Sequence, residues 1–109
     1  MKRLALATMV ALTTTTHAIT IEDVMNQPKL ALTALGVVDY YDNNCHGLTS
    51  RGNSLLNKVV RKHGFDKANV VELTNSTEYK HGYEVSAGFG SCNKLRRALT
   101  DAGAGALFR

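Results

Sequence analysis

Residues 49–65, Thr49-Ser50-Arg51-Gly52-Asn53-Ser54-Leu55-Leu56-Asn57-Lys58-Val59-Val60-Arg61-Lys62-His63-Gly64-Phe65, spell a complete helix with both of its ends. Thr49 or Ser50 supplies a hydroxyl that can accept from a free amide of the first turn. Leu55, Leu56, Val59 and Val60 recur at i, i+1, i+4 and i+5, which lays them in one stripe at 3.6 residues per turn, while Arg51, Lys58, Arg61 and Lys62 fall mostly off it. Cations crowd the last turn, where they oppose the helix dipole, and Gly64 stands where a left-handed cap is needed. Phe65 follows as a hydrophobic cap contact.

Upstream the same signals repeat. Thr20-Ile21-Glu22-Asp23 is a capping box and opens a short helix that ends near Asn26. Pro28 turns Gln27 away from helical backbone and suits the first position of the next helix. That helix runs to about Asp42, with Leu30, Leu32, Ala34, Leu35, Val37, Val38, Tyr40 and Tyr41 around much of its circumference, so it is expected at the centre of the fold. Asp42-Asn43-Asn44 breaks it and Cys45-His46-Gly47 makes a turn.

Downstream, residues 66–73 read as a short helix or a strand-like stretch with Val70, Val71 and Leu73 facing the core. Asn75-Ser76-Thr77 offers another cap. From there to Ala102 runs one long helical pattern, Tyr79, Tyr83, Val85, Phe89, Cys92, Leu95, Leu99 and Ala102, with a kink possible at Gly88-Phe89-Gly90. Gly82, Ser86 and Gly90 stand four apart, a face on which another helix can approach closely. Residues 103–109 are small and are expected to be a frayed tail. Helical periodicity dominates throughout, so the fold class is all-α, a bundle of four to five helices.

The start of the chain has a different task. Met1-Lys2-Arg3 is basic, Leu4 to Leu12 is a nine-residue apolar run, and Thr16-His17-Ala18 ends in the small residues a signal peptidase accepts. Nine helical residues reach about 14 Å, against roughly 30 Å of membrane hydrocarbon, so residues 1–18 read as a signal peptide and not as a membrane anchor. Removal leaves residues 19–109 as a single helical domain with no transmembrane segment. It also lowers the formal charge from +4 to +2, because Lys2 and Arg3 leave with it. The charge that first suggests nucleic acid is therefore partly targeting information, and no nucleic-acid partner is expected.

A domain of this size is short of core, and export places it where thiols oxidise. Cys45 and Cys92 form no Cys-x-x-Cys motif, so they are expected to pair as a structural bridge, worth about 4 kcal/mol in the chain-entropy model.

Chemistry is sparse. Gly-x-Ser-x-Gly is absent, and Gly88-Phe89-Gly90-Ser91-Cys92-Asn93 lacks the Gly-Lys-Ser/Thr of a phosphate loop. Asp39 and Asp42 share a helix face but read as a polar helix terminus. No catalytic, metal-binding or cofactor residues are assigned. The candidate binding residues are the cations Lys58, Arg61, Lys62, Lys94, Arg96 and Arg97, with Tyr79 and Tyr83, which offer area and a polar handle. The expectation is a small, exported, non-enzymatic binding or accessory protein of the cell envelope, in the periplasm or secreted, facing a protein partner or an anionic surface. One alternative is a periplasmic stress chaperone of the acid-response type, by analogy of size, export and cysteine separation alone. The other is a metal or redox module built on His46, His63, His81 or the cysteines.

Overall fold

The computed structural model describes residues 21–109, so the signal-peptide expectation and the Thr20 half of the first capping box lie outside the described residues. Six α-helices follow in order: α1 (Ile21–Asn26), α2 (Pro28–Asn44), α3 (Ser50–Lys62), α4 (Val70–Thr74), α5 (Thr77–Ala87) and α6 (Cys92–Asp101). Two 3-10 turns, Phe65–Lys67 and Gly105–Leu107, complete the order. Among the described residues there is no named strand, only an isolated antiparallel bridge between Leu48 and Phe108. The all-α class holds, and the Cys45–Cys92 disulfide is formed, with 5.7 Å between the Cα atoms. It ties the end of α2 to the first residue of α6.

The local signals act as their chemistry requires. Thr49 Oγ1 accepts from the Gly52 amide at 3.2 Å and caps α3, and Gly64 ends that helix region at φ 74°. Pro28 opens α2, and Ser76 Oγ accepts from the Tyr79 amide at 3.2 Å to cap α5. The ambiguous stretch resolves as helix α4, capped by Asn69 Oδ1 at 2.8 Å from the Val71 amide. It leaves Leu73 half-buried and turns Val70 and Val71 outward. Contrary to the expectation of a core pair, they are 68% and 63% exposed.

The long pattern from 76 to 102 is two helices. Backbone turns over Ser86 to Gly90, with Gly90 at φ 83°, interrupt it, and Ser91 Oγ restarts it by accepting from the Lys94 amide at 3.2 Å. Apolar spacing runs across the break because Val85 and Phe89 before it and Leu95 and Leu99 after it meet the same core.

α2 lies at the centre. Val37 and Tyr41 are fully buried together with Leu95 and Leu99 of α6, and the partner of its other face is α5. There the backbones nearly touch. A Cβ on Gly36 would stand 2.1 Å from the Tyr79 carbonyl oxygen, and one on Gly82 would stand 2.1 Å from that of Thr33. Ser86, fully buried on the same face, returns its hydroxyl to the Gly82 carbonyl at 2.8 Å. The small-residue face read at Gly82 and Ser86 is therefore the α2–α5 crossing, whereas Gly90 is an exposed turn. Glycine inside a helix costs about 1 kcal/mol in propensity, which the close approach offsets. Gly36→Ala or Gly82→Ala must push the helices apart, because backbone oxygens cannot swing away as side chains do. Each is expected to lose about 3 kcal/mol, the upper end for overpacking, read as a lower urea midpoint. An unchanged midpoint would contradict the crossing.

The segment expected to fray is docked. Gly103, at φ 92°, ends α6 with its amide on the Thr100 carbonyl, while the Ala104 amide reaches Leu99 at 2.8 Å, the paired bonds of a Schellman cap. Ala104 is then 2% exposed and Phe108 5%. The Thr49 amide donates to the Leu107 carbonyl at 3.1 Å, and Thr49 Oγ1 donates to that of Ala106 at 2.6 Å. The Arg109 amide donates to the Gly47 carbonyl at 2.9 Å, and the buried Tyr41 hydroxyl donates to the Arg109 carbonyl. Smallness at positions 103–106 is what lets this segment lie close over the start of α3, where Gly52 faces the Leu107 carbonyl.

Candidate functional site

The expected binding residues lie on α3, α5 and α6, and two of them, Arg96 and Tyr79, are engaged inside the molecule. Lys58, Arg61 and Lys62 are exposed on α3, and Lys94 and Arg97 are exposed on α6. Arg96 is half-buried and occupied: its guanidinium donates to the Phe108 carbonyl at 3.2 Å and to Thr100 Oγ1 at 3.3 Å, so it holds the docked segment. The turn Gly105–Leu107 lies against both α3 and α6, and the two cationic sets are on the helices that flank it.

Tyr79 is buried, and its hydroxyl donates to Asp39 Oδ2 at 2.5 Å. Tyr83 stacks on Tyr79 with ring centres 6.2 Å apart and meets Tyr40 edge-on at 5.2 Å. Its hydroxyl accepts from Asn44 Nδ2 at 3.3 Å. These tyrosines bind α5 to α2, and Tyr40 and Tyr83, both half-buried, leave part of their surface to solvent.

Burial raises the Asp39 carboxyl above its ordinary 3.8. The Tyr79 hydrogen bond opposes this shift and the neighbouring Asp42 charge adds to it. The Tyr79 hydroxyl is raised well above its ordinary range, first by burial and then by Asp39. The sign for stability follows. The folded state holds the Asp39 proton more tightly than the unfolded one, so this contribution is fully present below 3.8 and is lost as pH rises through the raised folded value. Wild type is expected to gain urea resistance relative to Asp39→Asn as pH falls from neutral towards 3.8. Parallel pH profiles for the two proteins would contradict it.

The histidines are apart in role. His63 donates from Nε2 to the Val24 carbonyl at 2.8 Å, joining the end of α3 to α1, and its ring stacks on Phe65 at 5.4 Å. His46 is exposed and His81 half-buried. Among the described residues no three His, Cys, Asp or Glu side chains converge in metal-binding geometry.

What the fold builds instead is an apolar slot between α2 and α3. Ala34, Leu35 and Val38 form one wall, and Leu55, Leu56 and Val59 form the other. Leu99 and Phe108 lie beneath, while Val24 and Leu107 contribute at the margins. Its open volume is about 60 Å³, and no lining residue carries a polar side chain. The wall residues Leu35, Val38, Leu55 and Leu56 are all half-exposed. From Ala31 to Val38 on one helix and from Gly52 to Val59 on the other, the lining spans seven residue steps, which is about 10 Å of slot. Arg51, Lys58 and Lys62 are exposed on the same helix as Leu55; at spacings of three, four and seven residues from it, they form a cationic row along one rim.

The slot was not legible in the sequence. Helical periodicity identifies Leu55 and Leu56 as apolar stripe residues, but not whether the facing helix closes over them. Among the described residues no helix is long and apolar enough to cross a membrane. No family model, curated protein or solved structure matches the chain. The structure thus defines a class, a small all-α domain stapled by one disulfide, and the slot is its candidate site.

Proposed function

We propose that this chain is a small, exported, non-enzymatic binding protein of the cell envelope, and that the slot between α2 and α3 is where it binds. The observation that carries this reading is a wholly apolar, half-open recess between two facing helices. Single exposed apolar residues are ordinary, but a recess built from two facing helices concentrates them at one place. The basic start and apolar run of residues 1–18, together with a disulfide suited to an oxidising compartment, support export. Asp39 lends nothing to the acid-opened chaperone, since its protonation favours the folded form.

Two measurements test the proposal. Intact mass of protein recovered from the envelope fraction should show loss of residues 1–18 and no free thiol. Wild type should retain a specific component of envelope extract that a folded Leu55→Glu variant releases. An unprocessed cytoplasmic chain, or identical recovery by both proteins, would overturn it.

A further inference from the structure

Resting on that reading, we infer that the ligand of the slot is a single-chain anionic amphiphile, a free fatty carboxylate whose hydrocarbon lies between α2 and α3 and whose head meets the cations of α3. Three observations combine. The first is size. The open volume is only about 60 Å³, room for about two water-sized groups, so the half-open slot can hold the flank of a thin aliphatic chain laid along it and does not enclose a ligand.

The second is chemistry. The side chains of the lining offer no hydrogen-bond donor or acceptor. An extended peptide laid there would bring main-chain N–H and C=O groups that need partners. A hydrocarbon chain brings none, and it fills space that water occupies poorly.

The third is charge. α3 carries Arg51, Lys58, Arg61 and Lys62 and no acidic residue. Arg61 comes two residues after Val59, so helical geometry turns it away from the slot. Arg51, Lys58 and Lys62 stay on the Leu55 side, at the rim where a carboxylate would emerge. Half-exposed residues on both walls leave the slot half-open, so a chain can lie against it with its head left in water.

The test titrates the exported protein with octanoate, decanoate and dodecanoate below their micellar concentrations, with dodecyltrimethylammonium as the cationic counterpart. One chain per protein is expected, tightening about twofold per methylene, half of full burial, until the chain outruns the roughly 10 Å slot. Methyl resonances of Leu35, Val38, Leu55 and Leu56 should shift. Ala34→Leu, which fills the slot, should weaken dodecanoate at least tenfold. Should that variant fail to fold, Leu55→Glu at the exposed rim should weaken it likewise by placing like charge beside the carboxylate. Lys58→Glu with Lys62→Glu should reverse the preference towards dodecyltrimethylammonium.

Dodecanoate binding that ignores all these substitutions would overturn the inference. So would binding only to anionic vesicles, or a slot covered by a second copy of the chain and closed to dodecanoate. Retention of an envelope protein that is lost in Leu55→Glu, without any dodecanoate binding, would overturn the amphiphile and leave the binding reading standing.

Discussion

A chain that stops at Leu107 is expected to lose about 5 kcal/mol or more, adding the usual cost of a large buried aromatic to that of an unsatisfied buried hydroxyl. Phe108 is 5% exposed and its ring meets that of the fully buried Tyr41 edge-on at 5.1 Å. Arg109 supplies the carbonyl that receives the Tyr41 hydroxyl. Removing both residues therefore opens a cavity against Leu48 and Tyr41 and leaves a buried polar group unpaired. Phe108→Ala isolates the first effect, at about 3–5 kcal/mol. Tyr41→Phe removes the hydroxyl itself and should lose only about 1 kcal/mol, since no buried donor is then left without its acceptor. Urea unfolding of the three variants separates them. A truncated chain with the wild-type midpoint would show that the docked segment contributes nothing.

Loss of the disulfide is the second large effect. Cys45 and Cys92 are 47 positions apart, and closing a loop of that length removes about 4 kcal/mol of chain entropy from the unfolded state. Small domains retain only about 5–15 kcal/mol in total, so Cys45→Ala with Cys92→Ala should bring the fold close to its limit. The same shift should follow addition of reductant to wild type, and reductant should do nothing further to the double variant. Equal urea midpoints with and without reductant would contradict a stabilising bridge.

Much of the fold was legible because it rests on local chemistry. Thr49, Ser76 and Pro28 start helices, Gly64 ends one, and each signal needs only its immediate neighbours. The disulfide followed from the count of cysteines and the expected compartment. What was not legible depends on distant partners. Gly103-Ala104-Gly105-Ala106 looks mobile until the start of α3 and the Leu107 carbonyl are placed around Gly52. Val70 and Val71 look like core residues until α4 is placed with that face outward. Arg96 and Tyr79 suit a binding surface by residue type, yet both are engaged inside the molecule, by Phe108 and Asp39. The slot was least legible of all, since it is a property of how far two helices stand apart.

The docking of Arg109 onto Tyr41 also governs how fast the fold can form. The two residues are 68 positions apart, so the last of the core closes only after a long excursion of chain, unlike a bundle whose helices pair in sequence. Folding rate falls as contacts become more distant, and loop closure must precede the contacts that reward it. Despite its helix content, the reduced chain should therefore refold slowly, and the oxidised chain, with 47 of those positions already bridged, should refold faster. The disulfide would then act on the rate of folding as well as on its equilibrium.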